Sequence, residues 1–348
     1  MEIHENFFGT TKHGETVFQY FLENDFKTRI GILNFGCIIQ SIETLDKYGQ
    51  MGDIVLGFDT LEEYENDTHY IGAIVGRVAN RIGNAKYKDE DEIVELDQNE
   101  GKNHLHGGRK GLNKKVWGAK PFKKNDSVGI DFSFLSPDGE NGYPGNVDLK
   151  VRYLLNNKNQ LMIYFSAKTD KRTPINLCSH AYYNLSALKS KTILSHYVMI
   201  NALKYLETNA ELIPTGTINY VLGTPLNFSR GKVIGEEIKK TKNGYDHSYI
   251  INKEANKFGI TTKVVDPESG RIIEIVTDQP NLQFYTSNYF DGNQLGKKGH
   301  FYVKHAAFCL ETQGFPDAPN HPNFPSVFIN PNEKYSSHTQ ITFEVKHD

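Results

Sequence analysis

Val147-Asp148-Leu149-Lys150-Val151-Arg152-Tyr153 alternates apolar and charged residues along its whole length. A period of two places Val147, Leu149, Val151 and Tyr153 on one side of an extended segment and the charges on the other, which is the pattern of a strand with one buried face. The alternation returns near the C-terminus, where Ile341, Phe343 and Val345 are separated by Thr342 and Glu344. Ile260 to Val265 and Arg271 to Thr277 read as two more strands, joined by Asp266-Pro267-Glu268-Ser269-Gly270. In that connection proline presets φ and glycine accepts a positive φ, so the chain reverses and the neighbours run antiparallel. Glu15 to Leu22 and Phe26 to Ile32 flank the turn Glu23-Asn24-Asp25 in the same way, and Leu161 to Phe165 reads as a strand buried on both faces.

Helical patterning is confined to Thr60 to Glu65 and Gly235 to Lys240, both too short to cross over between parallel strands. Doubly wound and TIM-barrel folds are therefore excluded. No internal repeat, low-complexity linker or change of composition divides the chain. The expectation is an all-β fold, one large antiparallel β-sandwich with few short helices, formed by residues 1–348 as a single domain. Pro316, Pro319, Pro322 and Pro325 mark the segment after Glu311 as an ordered surface loop, neither central strand nor helix.

The 348 residues carry 39 Lys and Arg against 42 Asp and Glu, a formal net charge of -3. That balance provides no footprint for nucleic acid. From the mass of 39.5 kDa, surface scaling gives about 14,000 Å² for one compact body. No apolar run approaches the roughly 18 residues of a membrane span, and the N-terminus lacks a basic start followed by an apolar stretch. Cys37, Cys178 and Cys309 are odd in number and form no C-x-x-C pair. The expectation is a cytoplasmic protein with reduced cysteines and no membrane partner.

Several segments carry chemistry. Gly292 to Lys298 superficially resembles a phosphate loop, but it has three residues between its glycines and Lys298 where Ser or Thr belongs. His104 and His106 stand two apart, which on an extended segment directs both to one face; a metal site would need a carboxylate and a further histidine in register, and none follows. His180 lies in an aromatic stretch with Tyr182 and Tyr183, and Asp246 and His247 lie between Tyr245 and Tyr249. Either is read as core packing or as a carbohydrate surface, where sugar C–H faces lie on rings and hydroxyls bond at the edges. Glu311 is a carboxylate in an apolar strand, sharing a face with Cys309 and Gln313 while Phe308 and Leu310 take the other. Apolar surroundings raise a carboxyl pKa and an adjacent cation lowers it. Arg77 and Arg81 read on their own as ordinary ion-pair partners.

Taken together, Gly76-Arg77-Val78-Ala79-Asn80-Arg81-Ile82-Gly83, Asn103 to Gly108, Ser179 to Ser186, Gly244 to His247, Leu282 to Thr286 and Leu310 to Asp317 resemble, in order, the motifs of the aldose 1-epimerase (mutarotase) family. The resemblance spans nearly the whole chain. It implies interconversion of the α and β anomers of free aldohexoses such as D-galactose and D-glucose, without cofactor or metal. By carry-over, Glu311 would be the general base on the C1 hydroxyl and His180 the general acid on the ring oxygen, with His106 assisting at the same centre. Asn80, Arg81, Asp246 and Gln283 fall where the family binds sugar hydroxyls, and His104 is left with a structural role. Tyr183 stands where the family more often has Phe, Ser179 where it has Asn or Thr, and Ser248 where it has Asn. The partner is then a small sugar, and the chain a monomer or weak homodimer. Two rival readings are a hexose-6-phosphate 1-epimerase, which needs a cationic phosphate pocket, and a non-catalytic sugar-binding protein on the same sandwich, which would tolerate loss of Glu311 or His180. A metal-dependent β-barrel enzyme using His104 and His106 is a remote third.

Overall fold

The alternating segments pair into two large antiparallel sheets in the computed structural model, which describes residues 1–346. The nine-stranded sheet runs in the order Gly118–Lys123, Ser127–Ser136, Val147–Asn156, Gln160–Thr169, Tyr335–Val345, Arg271–Thr277, Gly259–Val265, Tyr197–Ile200 and Lys232–Val233. The six-stranded sheet runs Tyr182–Tyr183, Phe308–Gln313, Asn281–Tyr285, Asp246–Ile251, Ala202–Thr208 and Pro214–Tyr220. Val151 sits between Phe132 and Phe165 in the larger sheet, so the inward residues of three neighbouring strands form one apolar row.

One hydrophobic cluster joins these inner faces: Leu149, Val151, Ile163, Phe165, Ile273, Ile341 and Phe343 from the larger sheet meet Tyr249, Leu282, Phe284, Phe308 and Leu310 from the smaller one. Tyr20, Leu22, Ile30, Ile32 and Ile42, from the five-stranded sheet built of Glu2–Thr10, Thr16–Glu23, Arg29–Leu33, Ile39–Leu45 and Met51–Asp53, extend the same cluster. Each such side chain contributes roughly 1.5–3 kcal/mol by leaving water. The structure exposes 14827 Å², close to the area expected of one compact body.

The expected hairpins form, Gly259–Val265 with Arg271–Thr277 and Thr16–Glu23 with Arg29–Leu33. The first expected helix is Leu61–Asn66, with a capping box in which Thr60 Oγ1 accepts from the Glu63 amide and Glu63 Oε2 accepts from the Thr60 amide. The second is one α-turn, Ile234–Glu237, continued by a 3-10 turn, Ile238–Lys240.

Two expectations are corrected. Leu161 to Phe165 is buried on one face only: Leu161, Ile163 and Phe165 enter the core while Met162 and Tyr164 are half-buried, as in an antiparallel sheet with one face on the core and the other towards water. The proline-rich segment is not wholly on the surface. It makes a 3-10 turn at Ala318–Asn320, Phe315 and Phe324 pack on Leu206, and Asp317 Oδ1 accepts from the Gly83 amide at 3.1 Å. In the glycine loop before residue 300, Lys297 is buried and donates to Asp53 Oδ2 and to the Gln40 carbonyl, each at 2.6 Å, which is a structural role. Among the described residues no helix is long and apolar enough to cross a membrane.

Candidate active site

Three strands of the smaller sheet build the site by their register. Gln283 lies opposite Glu311 on one side and Ser248 on the other, while Tyr285 lies opposite Cys309 and Asp246. Tyr182 lies opposite Cys309 on the sheet's last strand. Residues directly opposite share a face, so Glu311, Gln283 and Ser248 form one row and Tyr182, Cys309, Tyr285 and Asp246 the next. The alternate residues Phe308, Leu310, Leu282 and Phe284 point into the core. Every residue of Phe308–Gln313 and of Asn281–Tyr285 is buried, so this face is covered too.

The cover consists of loops. Cys178–Ser179 pairs with Ile74–Val75, and the His180 amide then donates to the Ala73 carbonyl at 2.9 Å, bringing the imidazole over Glu311. His104–Leu105 pairs with Arg81–Ile82, after which His106 takes φ +50 and faces Asn80 at φ +64. Both are unusual conformations for residues with a Cβ, held here by two reciprocal contacts. The His106 amide donates to the Asn80 carbonyl at 3.0 Å, and the Asn80 amide donates to His106 Nδ1 at 3.1 Å. Gly107 is required beside them, since a Cβ there would lie 1.8 Å from the Gly76 carbonyl oxygen.

A cavity of about 230 Å³ opens between loops and sheet, and it is lined by all seven residues expected from the sequence: Asn80, Arg81, His106, His180, Asp246, Gln283 and Glu311. His180 Nε2 lies 3.6 Å from Glu311 Oε1. Gln283 Nε2 donates to Asp246 Oδ1 at 2.5 Å, while Gln283 Oε1 is buried with no protein partner. Arg81 Nε and Nη2 donate to the two oxygens of Glu100 at 2.7 Å each.

The electrostatics oppose charge. Burial, with Asp246 adding to it, pushes the Glu311 carboxyl up to about 8; the Cys178 thiol and Arg81 act the other way. Burial pushes His180 down to about 4 and His106 well below its ordinary value. Asp246 is raised by burial against the pull of Arg81 and Gln283. Glu311 and His180 thus share one proton over the range bounded by these two values.

Ligand atoms of His106, His180 and Glu311 lie within 4.8 Å of one another, a spacing that a metal ion can bridge. The donor set does not suit one. A backbone N–H only donates, so the Asn80 amide makes His106 Nδ1 an acceptor and leaves the proton of the neutral ring on Nε2. His106 therefore presents a hydrogen-bond donor rather than a metal-binding lone pair.

His104 departs from the expectation that it shares a face with His106. It is fully buried, with Nδ1 2.7 Å from the Asp97 carbonyl and Nε2 2.7 Å from Tyr143 Oη, because the strand ends at Leu105 and His106 turns into the left-handed region. Arg77 makes no ion pair among the described residues: it is buried and donates to Ser136 Oγ and to the carbonyls of Ser136, Pro137 and Pro144. Sequence reading left Tyr182 open between core packing and a carbohydrate surface, and missed the rest of the aromatic wall, Tyr70, Tyr285 and Tyr289, and also Glu100 and Cys178. Part of it was within reach, since Cys178 and Tyr182 stand two residues either side of His180, and Tyr285 two beyond Gln283.

Comparison with known proteins gives the family. The family model for aldose 1-epimerase matches residues 19–342. Galactose mutarotase of Bos taurus is 40% identical over 331 residues, covering 95% of each chain. Aldose 1-epimerase of Escherichia coli is 31% identical over 330 residues, covering 92% of this chain and 94% of its own. Among solved structures, an aldose epimerase homologue from C. elegans superposes with a TM-score of 0.87 at 32% identity, covering 94% of this chain and 99% of its own. With the family model matching residues 19–342 and these relatives matched over more than nine-tenths of their own length, the chain belongs to the aldose 1-epimerase family.

Proposed function

We propose that this aldose 1-epimerase opens and recloses the ring of a free aldohexose, D-galactose and D-glucose among them, with Glu311 and His180 as its proton-transfer pair. The observation that carries the reading is the approach of His180 Nε2 to Glu311 Oε1 at 3.6 Å inside a sugar-sized pocket. Ring opening needs one proton to leave the C1 hydroxyl and another to reach the ring oxygen. The open aldehyde rotates about C1–C2 and the ring closes on the other face. A pair holding one proton meets both demands: Glu311 as carboxylate takes the hydroxyl proton, His180 as imidazolium gives one to the ring oxygen, and the roles reverse on closure. Each positioned group is worth about 10²–10⁴-fold. Sugar hydroxyls replace lost hydration around the pair and make its charge-separated form accessible.

His106 Nε2–H supports the ring oxygen as a donor. The unpartnered Gln283 Oε1, with Asp246, Arg81 and Asn80, takes hydroxyls, and the tyrosine faces suit the C–H surface of a pyranose. Residues 1–348 act as one domain on this proposal. The three cysteines are buried and free, which supports a cytoplasmic setting. A phosphorylated substrate is disfavoured by charge: Arg81 is the one Lys or Arg lining the pocket among the described residues, it is already held by Glu100, and Asp246 and Glu311 add negative potential. A pure binding protein would have no use for two ionisable groups pushed in opposite directions and set face to face.

Polarimetry of freshly dissolved α-D-galactose and α-D-glucose tests this. Wild type accelerates the change over the spontaneous rate and Glu311→Gln does not. Absence of acceleration by wild type on both sugars overturns the substrate assignment, and full activity of Glu311→Gln overturns the choice of base.

A further inference from the structure

Each half of the proton-transfer pair has a buried cysteine two residues before it. Cys178 precedes His180 on one segment, and Cys309 precedes Glu311 on the strand that faces it. The contacts run crosswise. Cys178 Sγ donates to Glu311 Oε2 at 3.4 Å, and Cys309 Sγ lies 3.6 Å from His180 Nδ1. Both thiols have no exposed surface. Burial, with Glu311 adding to it, raises both far above the ordinary thiol range, so each remains S–H, a weak donor rather than a nucleophile.

We infer that Cys178 and Cys309 are positioning residues that orient the acid–base pair, each thiol on one segment holding the reacting group of the other. The terminal torsion of a glutamate is broad, so a carboxylate without a second contact swings. Cys178 on Oε2 leaves Oε1 directed at His180 Nε2. Cys309 beside Nδ1 sets the imidazole so that its other nitrogen meets that oxygen. The inference rests on the reading of Glu311 and His180 as the reacting pair. The other groups that face Glu311 across the pocket are Asp246, which raises its pKa, and Arg81, which lowers it; the remaining titratable groups around the pocket are His69, His106, Glu100 and the four tyrosines Tyr70, Tyr182, Tyr285 and Tyr289. Cys178 supplies the side-chain hydrogen bond that favours the ionised carboxyl.

The test is the pH profile of kcat/KM for α-D-galactose in Cys178→Ala and Cys178→Ser, with Glu311→Gln as reference and a thermal melt of each. Cys178→Ala lowers kcat by about threefold to tenfold with KM little changed, and shifts the alkaline flank upward by about half a pH unit, the size expected for one lost hydrogen bond. Cys178→Ser, which restores a donor, returns both to wild type. Cys309→Ala lowers kcat with the fold intact. A lower kcat with an unshifted flank marks Cys178 as packing only and overturns the inference, as do an unchanged kcat and flank. Those results leave the pair standing if Glu311→Gln is inactive, whereas an active Glu311→Gln removes the pair and the inference with it.

Discussion

The two faces of Phe308–Gln313 obey opposite rules on one backbone. Phe308 and Leu310 enter the main hydrophobic cluster, where the gain is burial itself. Cys309, Glu311 and Gln313 are just as buried on the other face, but there Glu311 meets a thiol and an imidazole, and both amide atoms of Gln313 lack protein partners. The core face makes stability and the pocket face draws on it. A carboxyl held near 8 rather than its ordinary 4.5 destabilises the folded state wherever the unfolded chain would ionise. That cost is absent below 4.5, where both states hold the proton, grows as pH rises and levels off above the folded value. His180, held near 4, does the reverse: stability is lost as pH falls below its ordinary 6.5.

The strongest attempt to break this contrast is Glu311→Gln, expected to lower kcat/KM by about 10³–10⁴-fold while unfolding free energy at pH 7 is unchanged or rises by up to about 3 kcal/mol. Polarimetry with urea denaturation measures both; a marked loss of stability would refute the trade-off. One residue away, Leu310→Ala is expected to cost about 2–5 kcal/mol of stability, with the activity of the folded fraction within about threefold. A collapse of activity in molecules shown to be folded would show that the two faces are not separable.

The pair itself predicts a bell-shaped pH profile of kcat/KM with flanks near 4 and 8, belonging to the pair rather than to one residue. A profile still rising above pH 9 would refute it. The smallest contrast compares the two nearby histidines. His106→Gln should lower kcat by about 10²-fold. His104→Gln should lower stability by about 1–3 kcal/mol, through its lost bonds to Asp97 and Tyr143, and leave kcat within about twofold. Equal effects on kcat would show that the tautomer imposed by Asn80 does not matter.

Strand positions were legible where a period of two is local, as in Val147 to Tyr153, because side-chain alternation is a property of the extended backbone alone. The same rule failed between His104 and His106, where the backbone leaves the extended region within the motif. It also overstated burial at Leu161 to Phe165, since an apolar run does not say whether a second layer lies outside the sheet. That the seven residues lining the cavity belong together was legible through the resemblance of ordered motifs. Tyr70, Tyr289 and Glu100 were not, for they enter the pocket from loops whose direction no period describes.

By itself the sequence determined that this is an antiparallel β protein, which residues face inward along strands that alternate, such as Val147 to Tyr153, and the family whose motifs it carries, because these depend on neighbours along the chain. Only the tertiary structure decided that Glu311 and His180 meet at 3.6 Å, that the Asn80 amide leaves the His106 proton on Nε2, and that the two thiols cross between the segments. Those contacts join residues 26, 131, 129 and 133 positions apart or similar, and a separation along the chain carries no information about distance until the strand registers are set.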